Sequence, residues 1–255
     1  MSIVKQLHKV KLLRQVAKTV AKSITIKQPF YSGTICLNAV EHSWAWTGKN
    51  RYETFDKTLQ NALHHASFSH DLLIDVVCNI GVMTVGTLLH NPTIKSIAVD
   101  PNLTANQLLK KTLLLNKLTD RCQVISAVAG TTNGITNFDE TGSVIGHVSP
   151  TGKNTKQIKL SDLLNQNHLQ KTLVKIDVEG YETILLADFK NIKSIDNYTF
   201  FIEVHEFEFN KEGNPEYVFS ALKEMNAIIT DLQGTEITEL QSNLITQIIV
   251  KFNAN

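Results

Sequence analysis

Short apolar runs alternate with amphipathic stretches along most of the chain. Asp71-Leu-Leu-Ile-Asp-Val-Val77 has strand length and is almost unbroken in apolar character. A glycine-containing turn at 78–81 follows it, then a helical pattern through about Leu89. Ser96–Asp100 predicts a second strand, Thr104–Leu118 a helix and Cys122–Ala129 a third strand. Leu173–Val178 predicts a fourth strand with a helix from about Tyr181, and Tyr198–His205 a fifth. Tyr217–Met225 reads as helix, and Ala227–Asp231 with Thr246–Phe252 as a terminal strand pair. Strands separated by helices of about ten to fifteen residues predict βαβ units and a parallel sheet. The continuous apolar character of 72–77, 97–99 and 173–176 predicts strands covered on both faces.

The flanking segments read differently. Residues 3–22 repeat apolar positions (Ile3, Leu7, Val10, Leu13, Val16, Ala17, Val20) at helical spacing, and Gln28-Pro29 marks the end of that helix. Residues 30–51 have no clear period and read as an irregular or short-strand connection, and Arg51–His65 reads as helix. Residues 130–160 carry Gly130, Gly134, Gly142, Gly146, Pro150 and Gly152 among Thr, Asn and Ser, an excursion between the third and fourth strands that suits a small hairpin or flap. No internal repeat is present. The expected organisation is a helical extension over 1–50 and one α/β domain over 51–255.

Composition narrows the class. Of 255 residues, 42% are hydrophobic and 19% charged, enough to bury an ordinary core and too few charges for a disordered chain. No apolar run approaches the roughly 18–20 residues of a membrane-spanning helix. Cys36, Cys78 and Cys122 form no CxxC pair and are too scattered for a disulfide framework, which points to a reducing, cytoplasmic setting. The start lacks the apolar region of a secretory signal. Charge is uneven: residues 1–40 hold seven Lys and Arg and no acid, so of the 25 basic and 24 acidic residues in all, 18 and 24 remain for 41–255. A mildly acidic body argues against nucleic acid as partner. The basic leader makes peripheral contact of residues 3–22 with an anionic membrane surface one alternative, and packing on the domain or on a second copy of the chain the other.

Three clusters carry chemistry. Asp75 near the end of the first strand, followed by Val77-Cys78-Asn79-Ile80-Gly81 and a helix, is how open α/β sheets hold nucleotide-like ligands, and Asp100 at the end of the second strand is placed for ribose hydroxyls. Taken singly, Asp100 also reads as a turn or helix cap. Asp177 and Glu179 sit at the end of the fourth strand before Gly180. Glu203 and His205 share one face of the fifth, either as a site pair or as a salt bridge.

Together these segments resemble the FkbM-type methyltransferases of the class I S-adenosylmethionine-dependent superfamily. The resemblance rests on Asp-Val-x-x-Asn-Ile-Gly at 75–81, Val-Lys-Ile-Asp-Val-Glu-Gly-Tyr-Glu at 174–182 and Ile-Glu-Val-His at 202–205, with Val99-Asp100-Pro101-Asn102, Leu115-Asn116 and Tyr52-Glu53 in support. It covers roughly residues 50–252. It implies a Rossmann-like, mostly parallel seven-stranded α/β sheet with an antiparallel last strand, and O-methylation of a hydroxyl on a sugar, glycan or natural-product acceptor. It also implies that Asp75 and the turn through Cys78, Asn79 and Gly81 hold the methionine end of the cofactor, Asp100 the ribose, and the segment from Ser126 through Ala127 the adenine border. The family has Gly-Ala where this chain has Val77-Cys78. Either the turn keeps Val77 in an extended conformation or cofactor affinity is reduced, so a catalytically degenerate scaffold stands as the rival reading. A nicotinamide-dependent dehydrogenase is disfavoured by the missing GxGxxG.

An alcohol needs a base or a metal to become a nucleophile. His205 is the expected base by its ordinary pKa, with Glu203 orienting it and Asp177 positioning the hydroxyl or acting as base itself. The same carboxylates, with Glu179, also suit a divalent cation. Outside these clusters, His64, His65 and His70 form a patch whose members do not share a helix face. Trp44 and Trp46 suit packing or a sugar-binding lip, and Cys78 suits a small turn filler.

Overall fold

The computed structural model describes residues 24–47, 51–139, 147–148, 152–206, 214–239 and 246–253. The helix expected over 3–22 lies outside them, as does the side chain of Trp46. The described chain opens with a hairpin, β1 (Thr25–Phe30) and β2 (Gly33–Asn38), and a 3₁₀ segment at Ser43–Thr47. Then follow α1 (Lys57–Ser67), β3 (Leu72–Val76), α2 (Val82–His90), β4 (Lys95–Val99), α3 (Leu103–Leu115) and β5 (Cys122–Ile125). The excursion holds β6 (Val128–Gly130), β7 (Gly134–Asp139), β8 (His147–Val148) and β9 (Lys153–Lys159), a small sheet of its own in the order β6-β9-β7-β8. Last come α4 (Leu160–Asn165), β10 (Thr172–Ile176), α5 (Glu182–Leu185), β11 (Tyr198–Val204), α6 (Pro215–Glu224), β12 (Ala227–Thr230) and β13 (Thr246–Phe252).

The main sheet has the expected seven strands, in the order β12-β13-β11-β10-β3-β4-β5. All pairings are parallel except those of β13, which runs antiparallel to β11 and β12. From β3 the chain builds outward through β4 and β5, then returns to β10 and builds the other way through β11. The strand order therefore reverses between β3 and β10, and the crevice beyond the carboxyl ends of those two strands is where such a sheet binds ligands.

Alternation along the strands sorts the core into two layers. Leu72, Ile74 and Val76 pack with Leu160, Leu164, Phe189, Val218 and Leu222 on one face. Leu73, Leu173 and Phe201 pack with residues of α1, α2, α3 and the hairpin on the other. Two sequence expectations change. The third strand ends at Ile125, because Val128–Gly130 pairs with β9 in the small sheet instead of continuing beside β4. Residues 25–38, expected as a helix end and an irregular connection, are a hairpin docked on α3. Cys36 N donates to Thr112 Oγ1 at 2.9 Å, and the Asn116 amide accepts from Thr34 N at 2.8 Å and donates to Thr34 O at 2.6 Å. The pairing partner is local and the docking partner some eighty residues away, so helical periodicity upstream carries no sign of it.

The histidine patch does not converge. His64 is buried and stacks on His90 with ring centroids 4.6 Å apart, His65 is exposed, and His70 faces Thr199 Oγ1 at 3.1 Å. No helix among the described residues is long and apolar enough to cross a membrane.

Candidate active site

The turn after β3 is built on left-handed backbone: Val77 has φ 60°, Asn79 50° and Gly81 83°. A side chain at Gly81 would meet Leu109 Cδ1 at 2.4 Å, so glycine is required there for space as well as for φ. Valine in this region costs about 1–2 kcal/mol, which excludes the extended conformation considered for Val77. The strain has a clean test. Val77→Gly should be more stable than Val77→Ala by about 1 kcal/mol, the reverse of the usual ranking, since both lose the same packing and only alanine keeps the Cβ. Thermal unfolding in which alanine is the more stable would refute it.

Asp75 is 0% exposed, lying beneath this turn instead of lining it. Thr84 Oγ1 donates to its Oδ2 at 2.6 Å, and Lys175, its register partner on β10, stands 3.7 Å from its Oδ1. Lys175 also donates to Val77 O at 3.2 Å and to Asp177 Oδ2 at 3.2 Å, so one buried ammonium ties both strand ends and the 77–81 turn together. Burial opposes its charge, but Asp177 and Asp75 hold its pKa above the ordinary lysine value. Asp100, also buried, accepts from Asn79 N at 2.7 Å and Asn102 N at 2.8 Å, closing the turn against the end of β4. Burial raises its pKa to about 6, against those two bonds. Ser126 Oγ accepts from Asn106 Nδ2 at 3.0 Å, which places the 126–127 segment beside Asp100. Burial pushes the Cys78 thiol well up, consistent with a filler.

The second and third motifs meet. His205 is 1% exposed. Its Nδ1 lies 2.9 Å from Glu182 Oε1, and its Nε2 lies 3.4 Å from Glu179 Oε2, 3.6 Å from Glu203 Oε1 and 3.8 Å from Asp177 Oδ1. Burial alone would lower its pKa, but bonds to Glu182 and Glu203 and the charge of Asp177 raise it to about 10. These surroundings favour the protonated ring, which would hold the four carboxylates together by charge, and they weigh against the base role expected from its ordinary pKa. Glu179 behaves in the opposite way. Burial and the neighbouring Asp177 charge raise its pKa to about 7, where a carboxylate accepts a proton at physiological pH. Its φ of 55° turns it back over the end of β10.

The description "Methyltransferase FkbM domain" matches residues 75–236. The chain belongs to the FkbM methyltransferase family. It is a methyltransferase. The donor set fits the S-adenosylmethionine that the sequence resemblance implies: the turn at 77–81 leads directly into the first turn of α2, Asp100 follows β4, and carboxylates outnumber cations where a sulfonium and an ammonium need compensation. No curated protein sequence matches the chain. Among solved structures, M. jannaschii TYW2 in complex with AdoMet is 12% identical, covering 89% of this chain and 83% of that one, with a TM-score of 0.49. The SAM-dependent methyltransferase from Agrobacterium tumefaciens is 10% identical, covering 89% and 69%, at 0.46. The complex of aTrm5 with tRNALeu is 10% identical, covering 89% and 51%, also at 0.46.

Four residues of this FkbM methyltransferase's site escaped the motif reading. Lys175 and Glu182 lie inside the quoted motif without having been given roles. Gln247 and Asp56 lie outside all three: Gln247 Nε2 donates to Glu203 Oε2 at 2.8 Å and to Asp56 Oδ2 at 2.6 Å, bracing Glu203 from the residue that precedes α1. The signal for Gln247 was its place opposite Glu203 across β13 and β11, a register no local pattern states. Trp44 packs edge-on to Tyr52 at 5.2 Å with Arg51 over its ring, a packing role for that side chain.

Proposed function

We propose that this methyltransferase transfers a methyl group to a hydroxyl of a sugar, glycan or natural-product acceptor, and that Glu179 takes the hydroxyl proton. The observation that carries the reading is the convergence of Asp177, Glu179 and Glu203 within 3.4–3.8 Å of His205 Nε2, next to the cofactor turn. When bound, S-adenosylmethionine supplies the electrophilic methyl. The imidazolium of His205 pins the three carboxylates, Lys175 holds Asp177 to the turn, and Glu179 accepts the proton as the hydroxyl oxygen gains its new bond. A small or glycan acceptor suits an acidic body better than a polyanion does. Residues 51–255 form the methyltransferase domain in this reading.

The test is incubation of the full chain with methyl-labelled S-adenosylmethionine and a panel of polyhydroxylated acceptors. Label in an alkali-stable ether supports O-methylation. Cofactor binding without transfer to any acceptor would favour a scaffold. Turnover lost in EDTA and restored by Mg²⁺ would reassign Asp177, Glu203 and His205 to holding a cation, since their ligand atoms lie within 4.8 Å of one another.

A further inference from the structure

A groove of about 810 Å³ lies on the other side of α1 from the hairpin, between that helix and the edge of the sheet. Its floor is two cross-strand rows of β11 and β13, Phe201 opposite Ile249 and Thr199 opposite Lys251. One wall is the outer face of α1, where Ala62 and Ala66 leave room; the turn at Leu232–Gly234 forms the other. Phe68, 64% exposed, stands at the rim. The next row of the same face is Glu203 opposite Gln247, in the active site. Buried Leu59 packs against that row and against Phe201, and the crevice these residues line holds no water-sized space among the described residues.

The lining has a distinct chemistry. Residues 41–255 hold more acids than bases, yet among the described residues no Asp or Glu lines the groove, while Lys251, His65 and His70 do. Phe201, Ile249, Ala62 and Ala66 make an apolar strip flanked by Thr58, Asn61 and Thr199, the volume is that of an ordinary small-molecule site, and Lys251 stands at one end. We propose that this groove is a second ligand site, taking a small amphiphile with an apolar ring or chain and a single anionic head. The apolar body lies over Phe201 and Ile249 between Ala62 and Ala66. The head lies at Lys251, with His70, already bonded to Thr199, as a further polar contact.

Anilinonaphthalenesulfonate, an aromatic body with one sulfonate, is a direct probe. Titrated into the full chain, it should bind one per chain with enhanced fluorescence, weaken as salt is raised, and keep its affinity when S-adenosylhomocysteine is present. Lys251→Glu, at an exposed position, should weaken binding about tenfold or more. Ala66→Trp, which fills the groove, should abolish it. Unchanged circular dichroism and Tm in both variants keep these losses from being general unfolding. Binding that survives both substitutions within twofold, displacement of the dye by S-adenosylhomocysteine, or the absence of a one-to-one complex would overturn the proposal.

Discussion

Glu179→Gln lowers kcat by about 10²–10⁴ and leaves the Kd for S-adenosylmethionine within about twofold, because the amide keeps the shape of the side chain and loses only its capacity to take a proton. In the parent, activity rises with pH through about 7, the range to which burial and Asp177 bring the Glu179 carboxyl. The direction follows from the role: the ionised form is the base, so the rate is low while the carboxyl is protonated and reaches a plateau once it has ionised. In the Gln variant that limb disappears. Steady-state rates across pH 5–9 with a working acceptor decide the matter; a variant that keeps the limb with kcat near the parent value leaves another group as base. His205→Ala behaves differently, because it removes a buried cation from among Glu179, Glu182, Glu203 and Asp177. It should cost stability as well as rate, whereas Glu179→Gln should cost rate alone.

Lys175→Met destabilises the fold by about 3–5 kcal/mol, the usual effect of removing one partner from a buried ion pair. The methionine replaces the stem but leaves Asp75 enclosed at the centre of the sheet without its cation, and releases Val77 O and Asp177 as well. The loss has a pH signature. Burial already raises the Asp75 pKa, and Lys175 is the foremost group opposing that rise, ahead of the Thr84 hydrogen bonds. Without the lysine, the folded-state pKa climbs further above the unfolded value, so the folded state binds the extra proton. Stability then falls as pH rises from about 4 toward the new folded pKa, and the variant is least unstable in mild acid. Urea denaturation at pH 5 and pH 8 measures this directly. Adding Asp75→Asn to Lys175→Met should recover part of the loss at pH 8. A single variant within 1 kcal/mol of the parent at both pH values would show that the pair contributes little.

Much of this protein is legible along the chain, and the reason is local. The strands β3, β4, β10 and β11 are covered on both faces, so their apolar runs are nearly unbroken, and the turns after β3, β4 and β10 each carry an ionisable residue with a glycine or asparagine within a few residues. Alternation within a strand put Glu203 and His205 on one face before any coordinates. The motif at 174–182 placed Asp177 and Glu179 at a strand end, which is where a parallel sheet presents its ligand site. The fold and the gathering of these ionisable groups at one end of the sheet follow from patterns only a few residues long.

Tertiary structure decided what those residues can do. Whether His205 is a base or a cation depends on Glu182, twenty-three residues away, and on the turn that folds Glu179 back toward it. An isolated imidazole titrates near 6.5, and only the number of carboxylates packed around it in low dielectric moves it to the cationic form. The burial of Asp75 beneath the turn, its neutralisation by Lys175 from the neighbouring strand, and the bracing of Glu203 by Gln247 and Asp56 all depend on the register between strands distant in sequence. So does the docking of the hairpin on α3. The sequence by itself determined which side chains reach the carboxyl edge of the sheet. Their charge states and partners were decided by the packing, because desolvation and Coulomb energy depend on distances that no local spacing encodes.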